Sequence, residues 1–385
     1  MALVLSWLQK VSALRHCQQG MGIGKTQMRQ SSYRFSEKIL APYRGEETAI
    51  VTMLLNGGNM DVAASGTFGT REKTAPADMI FEIGSITKVF TALLLAVLIE
   101  EGKVDPNRPI KDFIAGLSDV PHWITLQALA THTSGLPRIH MPLWKALISS
   151  LPDDPYGSFS RDDLLDWLRV RKDATPPRRL RYAYSNLGFG LLGEAMAMSE
   201  GKPYLGLLTE KVIAPLGLVD TTSDLTQSQQ ARFMQPFNTK GKPVVPWTFQ
   251  AIAGAGCLRS TARDLGHFSA FVLKALENPK TSLDRSICRS VEPLFGLGRR
   301  GAMEPVAQCL GWLSIKTAPE APQMLFHNGG TAGSTCALYI CPEAMSGALI
   351  LSNRGVAANL WSSLRLSRSD PHGATNDLFA SLDRT

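Results

Sequence analysis

The sequence predicts an α/β fold of the α+β kind, in which strands from both ends of the chain form one antiparallel sheet and a helical domain is inserted between them. Runs of β-type composition, separated by Gly, Pro and Asn, stand near both ends of the chain. The middle of the chain is richer in helical patterns. The C-terminal connections are too short for crossover helices, so the strands there should pair antiparallel.

The N-terminal part of the sheet is predicted from two runs. The apolar run 49–55 ends at a Gly/Asn turn, and the alternating run 61–68 follows it, which together indicate a β-hairpin. The next element is a helix from Ile86 to Glu101 that stops at Gly102. Because this helix is apolar on nearly every side, we expect it to be buried.

The remaining elements complete the predicted domain organisation. Further helices are predicted over 162–169 and 188–200, and another begins after Ser260 or Thr261 as its N-cap. Four short strands are predicted at 311–317, 323–327, 334–341 and 347–353, with a closing helix at 356–366. The predicted domains are an N-terminal extension or first helix (1–44), a sheet domain (45–104 and 251–370), a mainly helical inserted domain (105–250) and a tail (371–385).

The first 36 residues contain several basic residues and no acidic one. This composition fits an amphipathic first helix, an export signal or an organelle transit peptide. The apolar run from Ala2 to Leu8 is far too short for an integral membrane segment. We place the protein in the cytoplasm, with export and organelle import as alternatives.

The charge of the chain bears on its partners. Lys and Arg number 40 against 33 for Asp and Glu, a net charge of +7. The basic residues are mostly spread along the chain, whereas a nucleic-acid binder would cluster them. We therefore expect no nucleic acid and an attraction to anionic substrates or surfaces. The oligomeric state stays open.

The six cysteines show neither a C-x-x-C pair nor a histidine at zinc spacing, so no metal site is expected. Cys336 and Cys341 lie on one predicted strand an odd number of residues apart, and their side chains should point to opposite faces. Disulfide pairing between them is therefore not expected. We predict free thiols and a reducing compartment.

The first candidate for chemistry is the stretch from Ser85 to Lys88 at the start of the buried helix. A spacing of three residues places the two side chains on one face, within reach of each other. The first turn of a helix favours negative charge, as an alkoxide nucleophile and an oxyanion require. Burial would lower the pKa of Lys88 and let it act as a base. By chance alone, the pattern also arises as a Ser cap with an exposed Lys.

Two further stretches carry chemistry-bearing residues. In Tyr184–Asn186, a phenol near a lysine can relay protons and an amide can hold a substrate carbonyl. In His327–Gly330, glycines after a strand let a ligand approach the backbone closely. Taken alone, the first also fits a plain loop–helix junction and the second a simple hairpin turn.

The three stretches together resemble the motifs S-x-x-K, Y-x-N and K/H/W-x-G of the serine β-lactamase and penicillin-binding-protein superfamily. The resemblance is strongest to the class C branch and its relatives, which are family VIII carboxylesterases, D-aminopeptidases and D,D-carboxypeptidases. The stretches 81–88, 129–137 and 256–264 are also similar to the family, and the resemblance covers roughly residues 45 to 355. It implies a β-lactamase/transpeptidase-like fold.

The resemblance also implies residue roles. Ser85 would attack an ester or amide carbonyl, and Lys88 and Tyr184 would accept and pass on its proton. The predicted catalytic residues are therefore Ser85, Lys88 and Tyr184, and the predicted substrate-binding residues are Asn186, His327, Gly329 and Gly330. The oxyanion would lie between the backbone N–H groups of Ser85 and Gly330. No metal or cofactor is implied.

Two histidines need separate interpretation. His327 stands where class C β-lactamases have Lys, so a titratable imidazole replaces a fixed cation that would pair with a substrate carboxylate. The His form resembles the peptidase and esterase relatives, and we expect His327 to help bind or protonate the substrate. His132 lies in a Thr/Ser/Gly turn and is predicted to be structural.

The sequence thus predicts a serine hydrolase that acts through an acyl-enzyme on small carboxylic esters, with weak β-lactam hydrolysis. The first alternative is a β-lactamase or a D-amino-acid or D,D-peptidase. The alternative of another class is a catalytically silent relative that binds a partner.

Overall fold

The computed structural model describes residues 48–69, 73–140, 154–169, 181–300, 303–316 and 322–355. The predicted N-terminal extension and the predicted closing helix at 356–366 lie outside these residues.

Eight strands of the described chain form one antiparallel sheet. They are β1 (Ile50–Asn56), β2 (Asn59–Ser65), β5 (Phe295–Arg300), β6 (Met303–Gln308), β7 (Leu313–Lys316), β8 (Met324–Gly330), β9 (Thr335–Cys341) and β10 (Ser346–Ser352). They lie in the order β2-β1-β10-β9-β8-β7-β6-β5. A separate two-stranded sheet pairs β3 (Phe81–Glu82) with β4 (Arg259–Ser260). Since β1 pairs with β10 from Ile50↔Ser352 to Asn56↔Ser346, the prediction that both chain ends complete one sheet is confirmed.

The sheet separates two hydrophobic cores, because successive side chains of a strand point to opposite faces. Val51 and Met53 of β1 belong to the larger core under the helices, whereas Leu54 belongs to the smaller core on the other face. Cys336 and Cys341 of β9 divide in the same way, as predicted. The cysteines of the described chain are free thiols.

Helices cover one face of the sheet. They are α1 (Thr87–Glu100), α2 (Leu126–Ala130), α3 (Arg161–Arg169), α4 (Asn186–Glu200), α5 (Tyr204–Leu208), α6 (Gln227–Gln230), α7 (Ala253–Gly256), α8 (Ala262–Glu277) and α9 (Ser282–Ser290). Single turns of 3-10 helix lie at Pro76–Asp78, Gly84–Ile86 and Ile110–Asp112, and a π-helical turn at Thr209–Ile213. None of the helices in the described residues has the length and apolar character needed to cross a bilayer.

Helix α1 is the central helix of the fold, and every residue from Thr87 to Leu98 is buried. It packs against α4, α7 and α9, so the predicted burial on most sides is confirmed. Gly102, with a φ of +70°, follows its end and turns the chain away.

The predicted helix starts are close to those observed. Helix α4 begins at Asn186, two residues before the predicted start, because the hydroxyl of Ser185 caps it by accepting the N–H of Gly188. Of the two residues predicted to cap α8, Thr261 takes the role by accepting the N–H of Asp264. The named elements between 105 and 250 are helices and turns, and the exact domain boundaries stay a prediction.

Three features of the sheet departed from the prediction. Strands β5 and β6 were not predicted, because Gly296 and Gly298 interrupt the alternation and the register between them shifts. The sheet β3–β4 is too short to leave a pattern. Strand β8 runs to Gly330 and not only to His327, so the third motif is a strand and not a hairpin turn.

The glycines at the end of β8 allow an unusually close approach to the segment before Ser85. A Cβ added at Gly329 would overlap the carbonyl oxygen of Ile83, and one added at Gly84 would lie 2.7 Å from the amide nitrogen of Gly330. Gly84 also has a φ of +45°, where side chains are disfavoured. Strand β7 pairs only with Met324–Phe326 of β8, which leaves the glycine end of β8 open to this segment.

We therefore expect Gly329→Ala to disrupt this contact, because the new methyl group meets backbone that cannot rotate away. Thermal unfolding should show a loss of about 2 kcal/mol or more, with a matching loss of turnover. Gly206→Ala in α5 is the matched control, since a Cβ there meets no atom within 4 Å. It should leave the Tm unchanged or slightly raised. Equal Tm values for the two variants would contradict the packing argument.

Candidate active site

The nucleophile candidate is held at the junction of two elements. Ser85 lies in the 3-10 turn Gly84–Ile86, which continues directly into α1. The Nζ atom of Lys88, one turn further along, lies 3.0 Å from the Oγ of Ser85 and donates 2.7 Å to the carbonyl of Ala255. The Tyr184 hydroxyl donates to the same Oγ atom at 2.8 Å. The structure thus brings the three predicted catalytic side chains together at one oxygen.

Lys88 is completely buried. Burial holds the pKa of its amine well below the usual lysine range, and the positive charge of nearby Arg138 lowers it further. A neutral amine has a free lone pair, so Lys88 can accept the proton of the Ser85 hydroxyl.

The pKa of Tyr184 is shifted in the opposite direction to that of Lys88. Burial raises the pKa of its phenol to about 12, which outweighs the lowering by the charge of Arg138. The phenol therefore stays protonated at neutral pH and acts as a hydrogen-bond donor. The Nζ of Lys88 lies 4.9 Å from the centroid of its ring, so base and phenol share one environment.

His132 fixes the backbone that carries Tyr184. Its Nδ1 accepts the N–H of Ser185 at 3.1 Å, and its carbonyl accepts the N–H of Ala183 at 2.8 Å. The imidazole is buried, with its centroid 4.4 Å from that of the Tyr184 ring. These contacts support the structural role predicted for His132, and its own φ of +58° belongs to the tight turn that this role requires.

Asn186 stands at the start of α4 beside the catalytic group. Its Nδ2 donates to the hydroxyl of Tyr156 at 2.9 Å. Its Oδ1 is buried and has no hydrogen-bond partner within the described residues. A buried polar atom without a partner is costly, so the amide oxygen is suited to accept a hydrogen bond from a ligand.

His327 lies on β8 and is buried. Its Nδ1–H donates to the carbonyl of Asn328 at 2.6 Å. Burial, helped by the charge of Lys88, lowers the pKa of the imidazole to about 3. The ring is therefore neutral at ordinary pH, and its role in binding or protonating the substrate stays a prediction.

Gly329 and Gly330 bring backbone, not side chains, to the site. Gly330 is exposed and packs against Gly84, next to the Ser85 backbone. The two amide groups predicted to bind an oxyanion thus belong to chain segments in direct contact.

An aromatic cluster beside Asn186 was missed by the sequence analysis. The Tyr156 ring stacks on Phe249 with centroids 5.3 Å apart and meets Trp247 edge-on at 5.3 Å. A Cβ added at Gly256 would lie 2.9 Å from the Phe249 ring, so the cluster reaches the segment next to Ala255. Since these residues belong to loops without a motif, only the aromatic content of 156 and 247–249 could have pointed to them.

Glu82 was also missed, although it lies in a stretch that resembles the family. Its carboxylate accepts the N–H of Trp247 at 2.7 Å and the hydroxyl of Thr331 at 2.7 Å. Burial raises the pKa of this carboxyl above its ordinary value. Glu82 therefore joins the aromatic loop and the turn after β8 to the strand that precedes Ser85.

A serine hydroxyl held by a buried lysine amine and a protonated tyrosine, beside the open glycine end of a strand, defines a serine hydrolase. The Beta-lactamase family model matches residues 39–364. The chain belongs to this family and is a hydrolase of the serine β-lactamase and penicillin-binding-protein type.

Related proteins agree with this assignment. The chain is 27% identical over 338 residues to the D-alanyl-D-alanine-carboxypeptidase/endopeptidase AmpH of Escherichia coli K12, covering 83% of each chain. It is 26% identical to a β-lactamase of Pseudomonas fluorescens, covering 71% of this chain and 79% of the relative.

Solved structures share the fold. A β-lactamase/D-alanine carboxypeptidase from Yersinia pestis superposes with a TM-score of 0.67 at 26% identity, over 91% of this chain and 99% of the other. A class C β-lactamase from Rhodobacter sphaeroides gives a TM-score of 0.67 at 23% identity, over 87% and 94%. The predicted β-lactamase/transpeptidase-like fold is confirmed.

Replacing Lys88 separates its catalytic role from its effect on stability. We expect Lys88→Met to abolish turnover but to raise the Tm at pH 7 by a few degrees, because a buried amine is costly and methionine is not. The folded protein binds this proton more weakly than the unfolded chain does, so wild-type stability increases as pH rises toward the unfolded lysine value. The stability advantage of the variant should therefore shrink between pH 7 and 10, measured by denaturant unfolding.

Lys240→Met is the matched control for this change, since Lys240 is exposed. It should alter neither turnover nor Tm. A Lys88→Met variant that is less stable than wild type at pH 7 would contradict the cost assigned to the buried amine.

Proposed function

We propose that this protein hydrolyses small carboxylic esters through an acyl-enzyme on Ser85, with weak hydrolysis of β-lactams. The observation that carries the proposal is the Ser85 Oγ atom, which lies 3.0 Å from the Nζ of Lys88 and 2.8 Å from the hydroxyl of Tyr184. The intact geometry argues against a silent relative that only binds a partner.

In acylation, the Oγ of Ser85 attacks the substrate carbonyl carbon while its proton passes to the neutral amine of Lys88. The backbone N–H groups of Ser85 and Gly330 stabilise the oxyanion. The bond to the leaving group then breaks, and the leaving oxygen takes a proton from the Tyr184 phenol, which Lys88 reprotonates.

In deacylation the same groups act on water. The neutral amine of Lys88 takes a proton from water, whose oxygen attacks the acyl carbon, while the Tyr184 phenol donates a hydrogen bond to the Oγ of Ser85. The bond to Ser85 breaks, and its Oγ recovers a proton. Asn186 lies beside this centre and orients the acyl group through its unsatisfied amide oxygen.

The preference for esters rests on His327. A lysine at this position of β8 would offer a fixed charge to a substrate carboxylate, whereas the buried imidazole is neutral, with a pKa lowered to about 3. A neutral imidazole suits an ester whose leaving group is uncharged. A lysine charge at the same place would be buried without a partner, which is costly.

A D,D-peptidase or a β-lactamase is the second candidate. Relatives with these names cover 83% and 71% of the chain, which supports the alternative. All candidates use the same acyl-enzyme and differ in the group that leaves. A cytoplasmic, reducing location belongs to the proposal as well and is supported by the free thiols of the described residues.

Ser85→Ala should remove the nucleophile and lower kcat on p-nitrophenyl butyrate by about 10⁴-fold or more. The same variant should no longer be labelled by a fluorophosphonate probe, although its Tm stays close to that of wild type. Retention of more than a tenth of the wild-type rate would sink the assignment of the nucleophile.

His327→Lys should shift the specificity from neutral esters toward carboxylate-bearing β-lactams. We expect the ratio of kcat/KM for nitrocefin to that for p-nitrophenyl butyrate to rise about tenfold, equivalent to about 1.4 kcal/mol. In wild type the ratio should show no titration of His327 between pH 5 and 8, since burial lowers the pKa of this imidazole to about 3. A variant that folds, by circular dichroism, but keeps the wild-type ratio would leave His327 a structural residue.

A further inference from the structure

Arg138 directly follows the stretch 129–137 that resembles the family, and it stands at the mouth of the site. Its side chain is exposed, with the guanidinium carbon 5.3 Å from the centroid of the Tyr184 ring. Its carbonyl accepts the N–H of Asn186 at 3.1 Å. The loop that carries this arginine is therefore fixed to the start of α4, next to the catalytic group.

The charge of Arg138 acts on several groups of the site. It lowers the pKa of Lys88 and opposes the rise that burial causes in the pKa values of Tyr184 and Tyr156. The affected groups lie on different elements: Lys88 on α1, Tyr156 in the loop before α3 and Tyr184 in the loop before α4. The contact with the Tyr184 ring and the bond from the Asn186 N–H to the Arg138 carbonyl place the guanidinium on the side of the site that Asn186 and Tyr156 form.

Arg138 has no carboxylate partner within the described residues, in contrast to many other arginines. The ion-paired ones include Arg108, Arg161, Arg169, Arg232, Arg263 and Arg285. The acidic group nearest in sequence to the nucleophile, Glu82, is buried and hydrogen-bonded to Trp247 and Thr331. The guanidinium of Arg138 at the mouth of the site is therefore available to bind a ligand.

The predicted binding residue on β8 carries no such charge. His327 is buried in β8, and its Nδ1–H is taken by the carbonyl of Asn328. The fixed cation of the class C motif is therefore replaced beside Gly329 by a neutral imidazole, and Arg138 provides a cation on the side of Asn186.

We propose that Arg138 binds a carboxylate on the acyl part of the substrate, so that the preferred substrates are half-esters or half-amides of dicarboxylic acids. This rests on the proposed function, in which Asn186 orients the acyl group. A guanidinium presents two parallel N–H donors that match a carboxylate, and its planar face can remain over the Tyr184 ring while it does so.

The test compares two esters with the same leaving group and acyl length, mono-p-nitrophenyl glutarate and p-nitrophenyl pentanoate, each corrected for spontaneous hydrolysis. Arg138→Gln should lower the ratio of kcat/KM for the glutarate ester to that for the pentanoate ester at least tenfold. Arg138→Lys should restore part of it, because it keeps the charge but not the paired donors. Arg108→Gln, which removes the same charge from an exposed ion pair elsewhere, should leave the ratio unchanged.

A binding measurement separates this proposal from the catalytic one. In the Ser85→Ala background, monomethyl glutarate should raise the Tm more than methyl pentanoate does, and Arg138→Gln should remove the difference. If wild type hydrolyses neither ester while this Arg138-dependent stabilisation persists, the proposed ester hydrolysis fails and the carboxylate site stands.

Three results would overturn the carboxylate site. The first is an unchanged ester ratio in Arg138→Gln together with unchanged stabilisation by monomethyl glutarate. The second is an equal loss for both esters, which would make Arg138 a positioning residue for Tyr184. The third is an equal fall of the ester ratio in Arg108→Gln, which would show that the effect comes from the net charge of the protein and not from a site at Arg138.

Discussion

The burial of one amine governs the architecture around the site. Lys88 lies on a helix whose residues are buried from Thr87 to Leu98, and water does not solvate its Nζ. The carbonyl of Ala255 on α7 and the faces of two aromatic rings replace the solvent only in part. Helices α4, α7 and α9 pack around α1 and bury this amine, and the fold bears a cost in stability to keep it beside a serine.

The same desolvation acts in opposite directions on the two partners of Ser85. It favours the neutral form of each, so the pKa of the Lys88 amine falls and that of the Tyr184 phenol rises to about 12. One group then lacks a proton and can take one, and its neighbour holds a proton and can give it. No additional acidic residue is needed to set this difference, because both groups share a single buried environment.

The sequence was sufficient for the features with strong local or pairwise signals. The apolar helix after Ser85, the hairpin of β1 and β2, and the opposite faces of Cys336 and Cys341 follow from periodicity alone. The meeting of Ser85, Lys88 and Tyr184 required the family resemblance, since Tyr184 lies far from the other two in the chain. Strands β5 and β6 were out of reach because glycine and register shifts erase the alternation.

Specificity was the part that motifs could not supply. A motif predicts the reacting groups. The charge that each side chain of the site carries depends on its burial, and burial is set by the packing of the folded chain. Burial lowers the pKa of His327, so its imidazole is neutral at ordinary pH. The carboxylate of Glu82 already accepts hydrogen bonds from Trp247 and Thr331. Arg138, in a loop with no pattern of its own, keeps an exposed charge over Tyr184. The reacting groups of this enzyme therefore lie on motifs that a sequence reveals, whereas the exposed charge of Arg138 comes from a loop that no motif predicts.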